Sequence, residues 1–171
     1  MNIAPFHIQG PVVGALLATS VAAMTDDEAN AMLDAWNENG ARIFSDVCMA
    51  SAPGFATLKD RALKAGFKDV NGRLLHDTPA AEVSLYDNDY TCGCRMIMGA
   101  PEFPNLLVGI VDQLEADYPD ASRDDPTPGG KGYSAIFNRE GADVRLVLNP
   151  ETFKETQMLA GFVLAEGACP Q

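Results

Sequence analysis

Thr91-Cys92-Gly93-Cys94-Arg95-Met96-Ile97-Met98 is the stretch on which the reading of this chain turns. Side chains of a strand alternate between its two faces. Read that way, Cys92, Cys94, Met96 and Met98 share one face, and Arg95 points to the other. Two of the four cysteines sit here; Cys48 lies well upstream and Cys169 close to the end. A central strand that can be tied towards both ends of the chain describes a domain closed by two disulfides.

The neighbouring segments extend this strand into a sheet. Residues 81–86 carry Ala81, Val83 and Leu85 in alternation, Asp87-Asn88-Asp89 makes a turn, and 90–98 returns antiparallel. Upstream, Asn71-Gly72 is a tight-turn signal, so 67–70 and 73–75 form a small hairpin. Downstream, Phe103, Leu106, Leu107, Ile110, Val111, Leu114 and Tyr118 recur at helical spacing, and Pro119 ends that helix. Residues 120–132, with Pro126, Pro128, Gly129, Gly130 and Gly132, read as one long loop. Strands over 133–138, 142–148 and 157–166 follow. The Arg139-Glu140-Gly141 turn joins the first two, and residues 149–153 read as a turn or a single helical turn.

Two helices precede the sheet. Thr25-Asp26-Asp27-Glu28 is a capping box, with acids suited to the positive end of a helix dipole. Ala29, Met32, Leu33, Trp36, Ile43, Phe44 and Val47 then follow the helical period, with a weak point at Gly40, and Cys48 ends the helix. Trp36, the one tryptophan, reads as a core anchor. A second helix is expected over 53–65, stopped by Gly66 in a left-handed conformation with Phe67 making the closing contact. The fold class is therefore α+β: two N-terminal helices, then ββαβββ, with a five-stranded, largely antiparallel sheet. In element order alone this resembles profilin-like, roadblock-like and sensor-type domains, a likeness that transfers no function.

Composition bounds the rest. The 171 residues include 24 acids and 12 Lys or Arg, for a net charge of -12. Such a surface repels nucleic-acid phosphates, and no basic cluster offsets it, so no nucleic-acid partner is expected. Residues 11–23 form an uncharged run of apolar and small residues ending in Ser20-Val21-Ala22-Ala23. It is too short to span a bilayer as a helix, and its small residues suit cleavage after Ala22 or Ala23. Residues 1–23 thus read as a signal peptide, although the first ten residues hold no Lys or Arg. Residues 24–171 read as a single domain, and an integral membrane protein is not expected.

The cysteines agree with export. Their spacing fits no zinc pattern, and an oxidising compartment favours two disulfides. Of three possible pairings, Cys92 with Cys94 strains an extended strand. The favoured arrangement joins Cys48 and Cys169 each to one of the central two.

Each chemical motif has a plainer reading beside it. Cys92-Gly93-Cys94 could act as a redox dithiol, given an exposed thiolate of low pKa. Two further cysteines and a strand face shared with methionines favour a scaffold. Asp87, Asn88 and Asp89, and separately Asp117, Asp120, Asp124 and Asp125, offer oxygen ligands for Ca²⁺, but neither set has the EF-hand pattern. Gly129-Gly130-Lys131-Gly132 lacks the residues of a phosphate loop. Once the leader is removed, His76 is the sole histidine, read as a surface residue; a multi-histidine zinc site is then impossible. No Gly-x-Ser-x-Gly elbow occurs.

The run Ala41-Arg42-Ile43-Phe44-Ser45-Asp46-Val47-Cys48, followed by Pro53-Gly54-Phe55 and Ala65-Gly66-Phe67, resembles short exported proteins of Gram-negative bacteria. Those have no assigned activity, so the resemblance implies a compartment, periplasmic or secreted, and no catalytic residues. The reading is a non-enzymatic binding or accessory protein with no cofactor or metal. It would offer a sheet face or groove to a protein or small-molecule partner. The contact region expected from loop length and composition is 120–132 with its flanks, through Tyr118, Asp124, Asp125, Lys131 and Tyr133. The alternatives are a thiol–disulfide protein using Cys92 and Cys94, and a calcium-dependent binding module.

Overall fold

Thr25 opens the first helix as the capping box requires. Its hydroxyl accepts from the Glu28 N–H at 3.3 Å, and the Glu28 carboxylate accepts from the Thr25 N–H at 2.9 Å. The computed structural model describes residues 25–124, 132–167 and Cys169. The leader expected over 1–23, with Asp125 and Lys131, lies outside the described residues. Helix α1 runs over Asp26–Val47 and is followed by a short 3-10 turn, Met49–Ser51.

Helix α2 covers only Leu58–Lys64, a correction to the expected 53–65. Phe55 takes φ of +56°, and a left-handed residue cannot belong to a right-handed helix. The C-terminal stop is the expected one. Gly66 has φ of +101°, its N–H reaches the Leu63 carbonyl, and the Phe67 N–H reaches that of Ala62.

Eight strands follow in one antiparallel sheet, where five were expected. They are β1 Lys68–Val70, β2 Arg73–Asp77, β3 Ala80–Asn88, β4 Thr91–Gly99, β5 Ser122–Arg123, β6 Tyr133–Arg139, β7 Ala142–Phe153 and β8 Thr156–Glu166. Helix α3, Phe103–Asp117, connects β4 to the far edge. The spatial order is β1-β2-β3-β4-β8-β7-β6-β5.

Two differences widen the sheet by three strands, and a third lengthens β7. The hairpin at Asn71-Gly72 joins the sheet through Leu74 opposite Val83, instead of standing apart. Ser122 and Arg123, inside the expected loop, pair with Ile136 and Ala135. Residues 149–153 continue β7 instead of turning, and the chain reverses at Lys154 and Glu155. Pro150 is tolerated there because β7 pairs with β6 only as far as Leu148, so no ladder bond to that side is lost.

The helices lie on one face. Inward residues of the central strands include Cys92, Cys94, Met96, Met98, Val144, Leu146, Leu148, Leu159 and Val163, all buried. Gly161 admits the Phe44 ring of α1, which occupies the space a β-carbon would need. Gly40 is a contact point of the helix pair instead of a flaw in α1. A β-carbon there would come within 2.9 Å of a methyl group of Leu106 in α3. Trp36 is half-buried at the rim, not in the core, and its indole N–H donates to the Gly99 carbonyl at 3.3 Å.

Candidate functional site

Strand β4 is the hub of the molecule. On its helix side, Cys94 is joined to Cys48 at the end of α1, and Cys92 to Cys169 near the C-terminus. Cys48 and Cys94 are fully buried, and Cys92 is 3% exposed. The adjacent pair is not bridged to itself, because alternate residues of a strand reach different partners below the sheet. No cysteine is free. Two disulfides are the signature of an oxidising location outside the cytoplasm.

The residues expected at the binding loop are dispersed. The Tyr118 ring packs on Phe137 with centroids 4.4 Å apart, and its hydroxyl accepts from Arg139, which also donates to the Ala50 carbonyl at 2.9 Å. These contacts tie α3 and β6 to the 3-10 turn. Tyr133 lies four residues from Phe137 along β6, about 13 Å of strand. The Arg123 guanidinium sits 5.5 Å over its ring. Burial pushes the Tyr133 phenol up from its ordinary value, with the nearby Glu115 charge adding to it. Asp124 donates its N–H to the Ser134 carbonyl and pairs with Arg145 at 3.4 Å.

The other polar candidates have local work. Asn88 accepts from the N–H groups of Tyr90 and Thr91, closing the β3–β4 turn, and Asp87 accepts from the Cys169 N–H. Asp117 accepts from Gln113 and Ser45. Among the described residues no group of three or more His, Cys, Asp or Glu is placed to hold a metal ion. His76 is half-buried, against the Phe67 ring and the Pro79 carbonyl, which corrects its reading as a surface residue. No described helix is long and apolar enough to cross a membrane.

The face of the sheet away from the helices is the larger feature. Its residues follow from the register: Glu82, Ile97 and Ala160 in one row, Ser84, Arg95, Phe162, Val147 and Ser134 in the next. Tyr86, Gly93, Leu164, Arg145 and Ile136 form the third. An antiparallel sheet covered on one side ordinarily shows polar residues on the other. Here Ile97, Phe162, Val147, Leu164 and Ile136 form a half-buried apolar stripe across the middle strands. Tyr86 stands edge-on to Phe162 at 6.2 Å. The opening strand already held the signal: Arg95 and Ile97 alternate with the inward cysteines and methionines. What sequence could not show was that β8 and β7 would add Phe162, Leu164 and Val147 beside them.

Comparison with protein-family models, curated protein sequences and solved structures finds no match.

Proposed function

We propose that this chain is an exported, non-enzymatic binding or accessory protein, periplasmic or secreted, that holds a protein partner against the helix-free face of its sheet. The observation that carries the reading is the half-buried apolar stripe of Ile97, Phe162, Val147, Leu164 and Ile136 on a face over which no described helix lies. Contiguous apolar surface of this kind marks interaction sites. The disulfides support export, because such bonds persist in oxidising compartments. A thiol–disulfide enzyme would need a reachable thiolate, whereas Cys92 and Cys94 are buried and each bonded elsewhere.

The test is site-specific photo-cross-linking in cells that export the protein. A benzophenone side chain replaces Phe162 in one variant and Met32, 57% exposed on α1, in another. Cross-links to a second polypeptide from position 162 and not from 32 are the expected result. A folded protein that gives none from 162, or the same set from both, would overturn the reading.

A further inference from the structure

Arg95 sits in the middle of the helix-free face, on the strand that both disulfides anchor. It is half-buried, with Ser84 and Phe162 directly across from it and Gly93 and Ile97 two residues away on the same strand. Its guanidinium lies 6.0 Å from the Phe162 ring centre. Among the described residues it makes no ion pair and no side-chain hydrogen bond. The acid nearest in register, Glu82, is hydrogen-bonded to Arg73, and the Arg95 charge acts on it only through space. On the other side of Phe162 and one row along, Arg145 is 54% exposed and meets Asp124 only at 3.4 Å. Arg95 and Arg145 thus stand on the two strands either side of the one that carries Phe162, in a chain of net charge -12.

Two facts about the surroundings narrow the occupant. Acids ring this centre at the strand ends, with Glu151 at one end and Asp143 and Glu166 at the other. A second copy docked about a two-fold axis through the centre of this face would set Arg95 and Arg145 against their own counterparts, and two bodies of net charge -12 repel at long range. A segment that is apolar with a carboxylate at its centre instead pairs with Arg95, covers Phe162 and Ile97, and keeps its charge away from the rim. Guanidinium is suited to this, because its planar fork accepts a carboxylate in a bidentate way and stacks on an aromatic ring.

Resting on the function proposed above, we infer that the partner presents an extended polypeptide segment whose sheet-facing residues are apolar apart from one central aspartate or glutamate, its carboxylate lying on Arg95 beside Phe162. The probes are two acetylated, amidated heptapeptides, Val-Thr-Phe-Thr-Asp-Thr-Val, which turns its apolar residues and its one Asp to the same face, and the same peptide with Lys in place of Asp. Binding is read by fluorescence anisotropy on the intact disulfide-bonded protein. The Asp peptide should bind and the Lys peptide should not. Arg95→Glu should weaken the Asp peptide about tenfold and give binding to the Lys peptide. Arg95→Gln, with unchanged thermal unfolding, should fall between.

Absence of Asp-peptide binding up to millimolar concentration would overturn the inference, as would equal binding of both peptides. Sedimentation equilibrium showing a dimer that Phe162→Asp breaks would give the face to a second copy and also overturn it. Equal binding of both peptides that Ile97→Asp abolishes would sink the acidic partner and leave the binding face standing. Loss of cross-linking from position 162 would remove both.

Discussion

Gly161 and Phe44 meet where α1 crosses the centre of the sheet, and their contact has a direct energetic consequence. The Phe44 ring is fully buried, and a methyl group on residue 161 would overlap its edge. Neither side can retreat, since β8 is held between β4 and β7 and α1 is tied to β4 by the Cys48–Cys94 bond. Gly161→Ala should therefore cost roughly 1–3 kcal/mol, the usual range for overpacking a dense core. Urea denaturation followed by circular dichroism measures it. Gly72→Ala is the comparison: nothing lies within 4 Å of a β-carbon there, so its cost reflects the φ of +83° alone. An equal loss at both positions would mean that packing against Phe44 contributes little.

At the scale of elements, the β1–β2 hairpin carries three exposed ion pairs, one within itself and two to its neighbours, beside the buried Leu74 and Phe67. Lys59 of α2 meets Asp69 at 2.7 Å, Lys68 meets Asp77, and Arg73 meets Glu82 of β3. The hydrogen-bonded Lys59 ammonium holds the Asp69 carboxyl below its usual range; Lys68 does the same for Asp77, and Arg73 for Glu82. A depressed carboxyl pKa favours the folded state above the unfolded value, about 4, and that support is lost as pH falls through the folded value. Amides of 68–77 should therefore exchange faster relative to β4 and β8 below roughly pH 4 than at pH 6, after correction for intrinsic rates. Added salt should shrink the difference, because these pairs are exposed. Unchanged relative protection would mean that Leu74 and Phe67 alone hold the hairpin.

The hairpin was legible because Asn71-Gly72 has a backbone requirement that few sequences meet, and the Thr25 cap and Gly66 stop were legible for the same reason. The start of α2 was not, since nothing in Phe55 announces a left-handed backbone. Ser122–Arg123 and the far half of β7 were hidden because their pairing depends on distant partners. The candidate face lay between these cases. Alternation showed which residues of β4 share a side, while the identity of the neighbouring strands came only with the topology.

Across the whole molecule, the two disulfides brace one strand from opposite ends of the chain, and they differ in access. Cys48–Cys94 joins positions 46 residues apart and Cys92–Cys169 positions 77 apart. The loop-closure view gives each about 4 kcal/mol, since the dependence on length is logarithmic. Their response to reductant should nevertheless be unequal, because thiol–disulfide exchange needs in-line approach to a sulfur. Both sulfurs of the first pair are enclosed by core, so a dithiol reaches them only when α1 leaves the sheet. Cys169 is half-buried near the chain end, its N–H bonded to the Asp87 carboxylate at 3.4 Å. A dithiol thiolate attacking its sulfur releases the Cys92 thiolate, and the reductant's second thiol then closes its own disulfide and frees Cys169. Under native conditions, alkylation followed by peptide mass spectrometry should label Cys92 and Cys169 well before Cys48 and Cys94. The far-ultraviolet circular dichroism of that intermediate should match that of the oxidised protein, because the sheet order and the α1–β4 bond are untouched. All four cysteines labelling together would mean that both bonds open through global unfolding, and the C-terminal segment would then be as firmly seated as the core.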